Sequence, residues 1–283
     1  MAVALTQRRR KTNRILPGFG ITLGYTMVYL SLLILIPLAT LFIKTHQLTP
    51  SDLHDVATDP EVISAFKVSF TASFAAALVN VFAGTLVAWV LARYKFAGRS
   101  LIDGLVDLPF ALPTAVAGLS LALLYSSNGL FGRYLEAHNI HVANTSLGVA
   151  VALMVIGFPF IVRTVQPVLE DVSLDVEEAA ATLGASRLQI FGRIIFPAIF
   201  PSILTGFALA FARGLGEYGS VIFISAGLPG QTEIVPQTIM NELSNYDYGK
   251  ASAIAVMMLL ASFTLLLIIN VLQWWARKKQ GGQ

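Results

Sequence analysis

Long apolar runs alternate with short polar ones along this chain. Six runs approach or exceed the length needed to cross about 30 Å of hydrocarbon. They cover 19–43, 62–93, a stretch opening near Asp107, 145–165, 196–225 and 251–275. The pattern predicts an all-α integral membrane protein with six transmembrane helices. In the second run Ala72, Ala76, Asn80, Gly84, Ala88 and Ala92 recur every four residues. Such a ridge of small side chains lets a neighbouring helix approach closely. The third run opens with Pro109, Pro113 and Gly118, which predicts a kinked or partly unwound start. Irregular backbone at that depth is tolerated where it lines protein or a water-filled cavity. A proline kink without a pathway role and a contribution to a pathway are both consistent with it. Between the fifth and sixth runs, 236–243 reads as a short amphipathic helix with Pro at its first turn.

Composition agrees with this pattern. The 283 residues are 55% hydrophobic and only 12% charged, with a mean hydropathy of +0.72. A soluble domain has roughly a quarter of its residues charged. The absence of cysteine excludes disulfides and thiolate chemistry. Most Lys and Arg fall in segments that a positive-inside assignment makes cytoplasmic. Arg8, Arg9, Arg10, Lys11 and Arg14 make 1–18 a cytoplasmic basic tail, and Arg277, Lys278 and Lys279 do the same for 277–283. Both termini are expected inside, with 19–276 forming one six-helix transmembrane domain. The first run exceeds the roughly 7–15 apolar residues of a signal peptide and is expected to be retained. The acidic loop 44–61 falls outside, as do 126–144 and 226–249. All four histidines lie in those outer loops, so no metal site or histidine proton relay is expected. No phosphate-binding loop is present and no base accompanies the intramembrane serines, so no catalytic residue is assigned. Nucleic acid is not an expected partner; membrane lipid is.

One polar stretch, 175–197, stands apart from the apolar runs around it. Asp175 with Glu178, and Ser186 with Gln189, both have capping-box spacing. Gly184 lies where a left-handed residue would close the first helix, and Pro197 where the second would break or bend. The expectation is two short helices joined at a glycine corner, with Ala179 to Ala181 as a small contact surface. Glu177, Glu178 and Arg187 form its rim. That shape suits docking of a partner, although an ordinary amphipathic loop helix would share its capping signals.

The stretch resembles the EAA motif of permease subunits of ABC importers. Glu178, Ala179 and Ala180 match E-A-A, while Gly184, Ile194 and Pro197 fall at the motif's spacings. Phe196 replaces the usual Leu. Further similarity covers nearly the whole chain and points to permeases of sulfate/thiosulfate importers, in their T-subunit branch. It is carried by D-L-P-F-A-L-P-T-A-V-A-G at 107–118, P-F-I-V-R-T-V-Q-P-V-L-E at 159–170, L-G-E-Y-G-S-V-I-F-I at 215–224 and D-Y-G-K-A-S-A-I-A at 247–255. The resemblance implies a type I (MetI-like) importer fold and a coupling role for 175–197 against an ATP-hydrolysing subunit. It also implies a second permease of the W type, two ATPase subunits carrying ATP and Mg, an outer sulfate/thiosulfate-binding protein and a bacterial inner-membrane location. No cofactor is expected on this chain itself. Molybdate permeases are similar through the third span and around Gly216 and Glu217. An ion-coupled secondary transporter is the reading from another class, but it leaves the cytoplasmic knuckle unexplained.

Arg213 and Glu217 are read as lying within the fifth span. Charges there cost about 2.5–3.5 kcal/mol each on insertion scales, so they require a reason. Spaced four apart, they can pair on one face. They either fix packing or, with Pro109 and Pro113, line a translocation pathway.

Overall fold

The protein, described by a computed structural model over residues 18–280, is a helical bundle without strands among the described residues. Arg8 to Arg14 lie outside the described residues, as do the side chains of Trp274, Trp275 and the basic residues after them. Among the described residues five helices are long and apolar enough to cross a membrane. They are α1 (Phe19–His46), α3 (Pro60–Arg93), α8 (Ser146–Asp171), α10 (Arg187–Leu215) and α13 (Tyr248–Gln280).

The expected third span is broken into shorter pieces. After α2 (Pro50–Thr58) and α3, the chain forms α4 (Arg99–Val106), α5 (Leu108–Ala111) and α6 (Thr114–Tyr125). Leu112 is extended, and the helix restarts after Pro113. The residue before a proline is disfavoured in the helical region, which gives this break a local cause. Six apolar segments therefore remain, one of them discontinuous.

The core is formed by α3, α8 and α10. Leu91, Ile161, Val165, Leu169, Ile199 and Phe211 are fully buried between them. The small ridge on α3 does what its spacing predicts. A Cβ at Gly84 would stand 2.8 Å from the Ile161 Cβ, so only glycine permits this approach of α3 to α8. The buried Asn80 amide donates to the Met154 carbonyl at 2.9 Å, satisfying a polar group that hydrocarbon could not. By contrast, α1 packs mainly on α13 and has no buried residue.

Pro197 does not break its helix. The chain passes from Arg187 through a π-helical stretch, Phe191–Ile195, straight into the rest of α10. The same device appears in α1, where Ser31–Leu35 is π-helical and Pro37 follows. Widening the turn ahead of a proline re-registers the carbonyls that its ring would otherwise meet.

At the opposite end, α7 (Gly132–Glu136), α11 (Val221–Ile224) and α12 (Val235–Ser244) fill the loops. The amphipathic helix expected at 236–243 is α12. Lys250 ties this end together, with Nζ 3.0 Å from Asp59 and 2.8 Å from Glu242.

Candidate functional site

The knuckle consists of α9 (Leu174–Thr182) and the first turns of α10. Its N-cap is Ser173, not Asp175: the Ser173 hydroxyl accepts from the Asp175 N–H at 3.2 Å. Asp175 and Glu177 lie in the first turn instead, where negative charge complements the helix dipole. The corner is as expected. Gly184 has φ +86°, the Ala185 N–H bonds back to the Ala180 carbonyl at 3.0 Å, and the Gly184 N–H to that of Ala181 at 3.0 Å. These paired bonds are a Schellman closure, which needs a residue that tolerates the left-handed region. The capping box of Ser186 and Gln189 is present in both directions, at 2.8 and 3.4 Å.

No residue of α9 is buried. Glu178 and Ala179 are exposed and Ala180 is half-buried; Gly184 and Arg187 are exposed. Ile194 and Pro197 are half-buried within the passage to the span. Sequence reasoning missed two residues of this surface. Leu183 and Leu188 flank the corner and are 89% and 84% exposed, more than the other large apolar residues of this polar stretch. Their signal was available as a leucine on either side of Gly184. Glu177, expected on the rim, turns inward: its Oε1 accepts from Arg93 Nη2 at 2.6 Å.

Within the bundle, Arg213 and Glu217 do pair, but Glu217 is not in the span. The helix ends at Leu215, and Glu217 follows in an irregular turn. Its carboxylate is only 2% exposed. One oxygen accepts from the Ser220 N–H at 2.9 Å and the Ser220 hydroxyl at 3.0 Å, and the other faces the Arg213 guanidinium. Arg213 itself is 36% exposed. A Cβ at Gly219 would stand 2.3 Å from Thr114 Oγ1, and one at Gly118 2.3 Å from the Ser220 carbonyl oxygen. The turn after α10 is therefore seated on the helix restart beside Pro113. Two stretches of irregular backbone meet there, which is tolerable in a membrane only inside protein or along a cavity.

Pro109 stands elsewhere, lining a pocket of about 240 Å³ with Asn80, Leu105 and Phe158. Its short helix is anchored by Arg163, whose Nε and Nη2 both reach the Asp107 carboxylate at 2.7 Å. Arg163 Nη1 also reaches the Asp103 carboxylate at 2.6 Å. In sequence Arg163 reads only as a positive charge near a span end.

Residues 80–280 match the family described as "Binding-protein-dependent transport system inner membrane component". The "Sulfate transport system permease protein CysT" of Salmonella typhimurium is 48% identical over 262 residues, covering 93% of this chain and 95% of its own length. The protein of the same name from Synechocystis is 48% identical over 253 residues, covering 89% and 88%. A bacterial alginate ABC transporter, solved with an alginate pentasaccharide-bound periplasmic protein, has a chain that superposes with a TM-score of 0.75 over 89% of this chain and 92% of its own. At 18% identity that likeness speaks for the fold alone. With matches of this identity and coverage along nearly its whole length, the chain belongs to the binding-protein-dependent transport permeases, in their CysT sulfate-permease branch.

Proposed function

We propose that this chain is a permease subunit of an ATP-driven importer of sulfate or thiosulfate in the bacterial cytoplasmic membrane. On this reading both termini and the knuckle face the cytoplasm. The knuckle docks on a separate ATPase subunit that holds ATP and Mg. A second permease of the W type completes the pathway, two ATPase subunits drive it, and an outer binding protein delivers the anion. The observation that carries the coupling part is the exposed two-armed corner, with Leu183 and Leu188 bare on either side of Gly184 beside the exposed Glu178. Two bare leucines next to a carboxylate suit an apolar interface core with a charged rim.

For the pathway, Glu217 acts as a fixed anchor, because both oxygens of its carboxylate are engaged. Arg213 is oriented by it and keeps a third of its surface open. An anion passing the irregular backbone near Pro113 would meet a guanidinium already tempered by one carboxylate, hence attractive without being a trap.

The test is uptake in proteoliposomes holding this chain with its three kinds of partner. ATP-dependent accumulation of labelled sulfate that disappears when this chain is omitted is the expected result. Accumulation by this chain without an ATPase, driven by an ion gradient, would overturn the proposal. Uptake of molybdate but not sulfate would correct the substrate.

A further inference from the structure

The inner face of α9 consists of Glu177 and Ala180, three residues apart and both half-buried, while the rest of the helix is exposed. Glu177 is held by Arg93, the last residue of α3, in a pair whose side chains are only 22% and 11% exposed. One turn earlier on the same face of α3 lies Trp89, with the Arg93 guanidinium carbon 6.0 Å from its ring centroid. Trp89 meets Phe191 edge-on at 5.8 Å. Phe191 belongs to the other arm of the knuckle, beyond the Gly184 corner. A single turn of α3 therefore holds both arms, one by charge and one by ring contact. Among the described residues Arg93 Nε is buried without a hydrogen-bond partner, and the contacts of the guanidinium are the Glu177 carboxylate and the Trp89 ring.

We propose that Arg93 and Trp89 are positioning residues that make the knuckle and α3 move as one body. The proposal rests on the reading of 175–197 as the coupling loop. Without this grip, α9 has no buried side chain to resist tilting, and a push at Leu183 or Leu188 would be absorbed at the corner. With it, the push reaches α3 and passes to α8 through the close contacts at Gly84 and Asn80. Coupling of this kind requires an element that both sites bias, and α3 is that element.

The experiment uses the assembled importer. Arg93→Met should lower both uptake and the ratio of stimulated to basal ATP hydrolysis about tenfold, within the range of ordinary coupling between sites. The exchanged pair, Arg93→Glu with Glu177→Arg, should recover most of that loss. The cysteine-free chain also allows spin labels at Thr182 and Phe82 with no background from the chain itself, in a complex whose partners have had their cysteines replaced. Their distance distribution should stay narrow in resting and ATP-trapped states, and should broaden in Arg93→Met. Normal coupling with an unchanged distribution in Arg93→Met would overturn the proposal, and so would an exchanged pair that assembles yet stays uncoupled. If Arg93→Met does not assemble, the exchanged pair and Trp89→Leu carry the test. Gly184→Val separates the failures: if it uncouples while the Arg93 and Trp89 variants do not, only the grip is wrong. If it too is fully coupled, the coupling-loop reading falls.

Discussion

Arg163 holds Asp107 through two parallel hydrogen bonds of 2.7 Å, across 56 positions of chain. The fork fixes the short helix ahead of the Pro113 break to the middle of the bundle. All three side chains of this cluster, Asp103 included, are between about a third and a half exposed, so the energy is below that of a buried pair. Arg163→Ala should cost about 1–2 kcal/mol, and Arg163→Lys should recover only part of it, because an ammonium cannot reproduce the planar fork. Thermal unfolding of the purified protein in detergent measures both; equal stability of Lys and Arg would remove the case for the fork.

Gly184→Val should act through the backbone alone. A Cβ at this position would meet nothing within 4 Å, so it brings no clash into the corner. What remains is a β-branched residue at φ +86°, at about 1–3 kcal/mol. The complex should assemble but lose most substrate-stimulated hydrolysis, whereas Gly184→Asn, which tolerates this region, should keep it. Stimulated ATPase assays of the two variants side by side decide.

Glu233 is 3% exposed in the loop before α12, and burial pushes its carboxyl above the usual range, helped by Glu61 and Glu242. Hydrogen bonds from Thr238 and Asn241 oppose the shift without cancelling it. As pH rises, the unfolded chain ionises Glu233 first, so this group removes stability between its ordinary and its raised pKa. Glu233→Gln should therefore raise Tm more at about pH 8 than at about pH 4. A gain that is the same at both values would show that ionisation is not the cause.

For the pair at the end of α10, Arg213→Met leaves a buried carboxylate with Ser220 as its remaining donor among the described residues, at about 3–5 kcal/mol, and should impair assembly. Adding Glu217→Gln removes both charges while its amide oxygen still accepts from Ser220. The double variant should assemble and hydrolyse ATP but transport poorly at low substrate. Full uptake by it would leave the pair a packing role only.

Local signals in the sequence carried much of this. Apolar runs located the spans, Gly184 the corner, Ser186 and Gln189 the second cap, and Pro236 the start of α12. The first cap was misplaced by two residues because Ser173 and Asp175 are both good capping types and the spacing to Glu178 favoured the wrong one. Glu217 reads as helical because nothing in L-G-E-Y-G announces that its side chain folds back onto Ser220. The Arg163 fork and the Arg93–Glu177 pair join residues 56 and 84 positions apart, and no periodicity links them. Their partners were visible only as loop acids and span-end bases.

The π-helical stretch Phe191–Ile195 lies between the corner and the buried part of α10. A turn closed by i→i+5 bonds winds less per residue than the about 100° of an α-helix, so the widened stretch takes up an extra residue while the segments on either side keep their phase. Deleting a single residue there would close the stretch into plain α-helix and return to the Pro197 ring the carbonyl it now avoids, while Leu188 and the corner kept their bearing. The widened turn thus stores one spare residue that separates the orientation of the docking surface from the proline at the foot of the span.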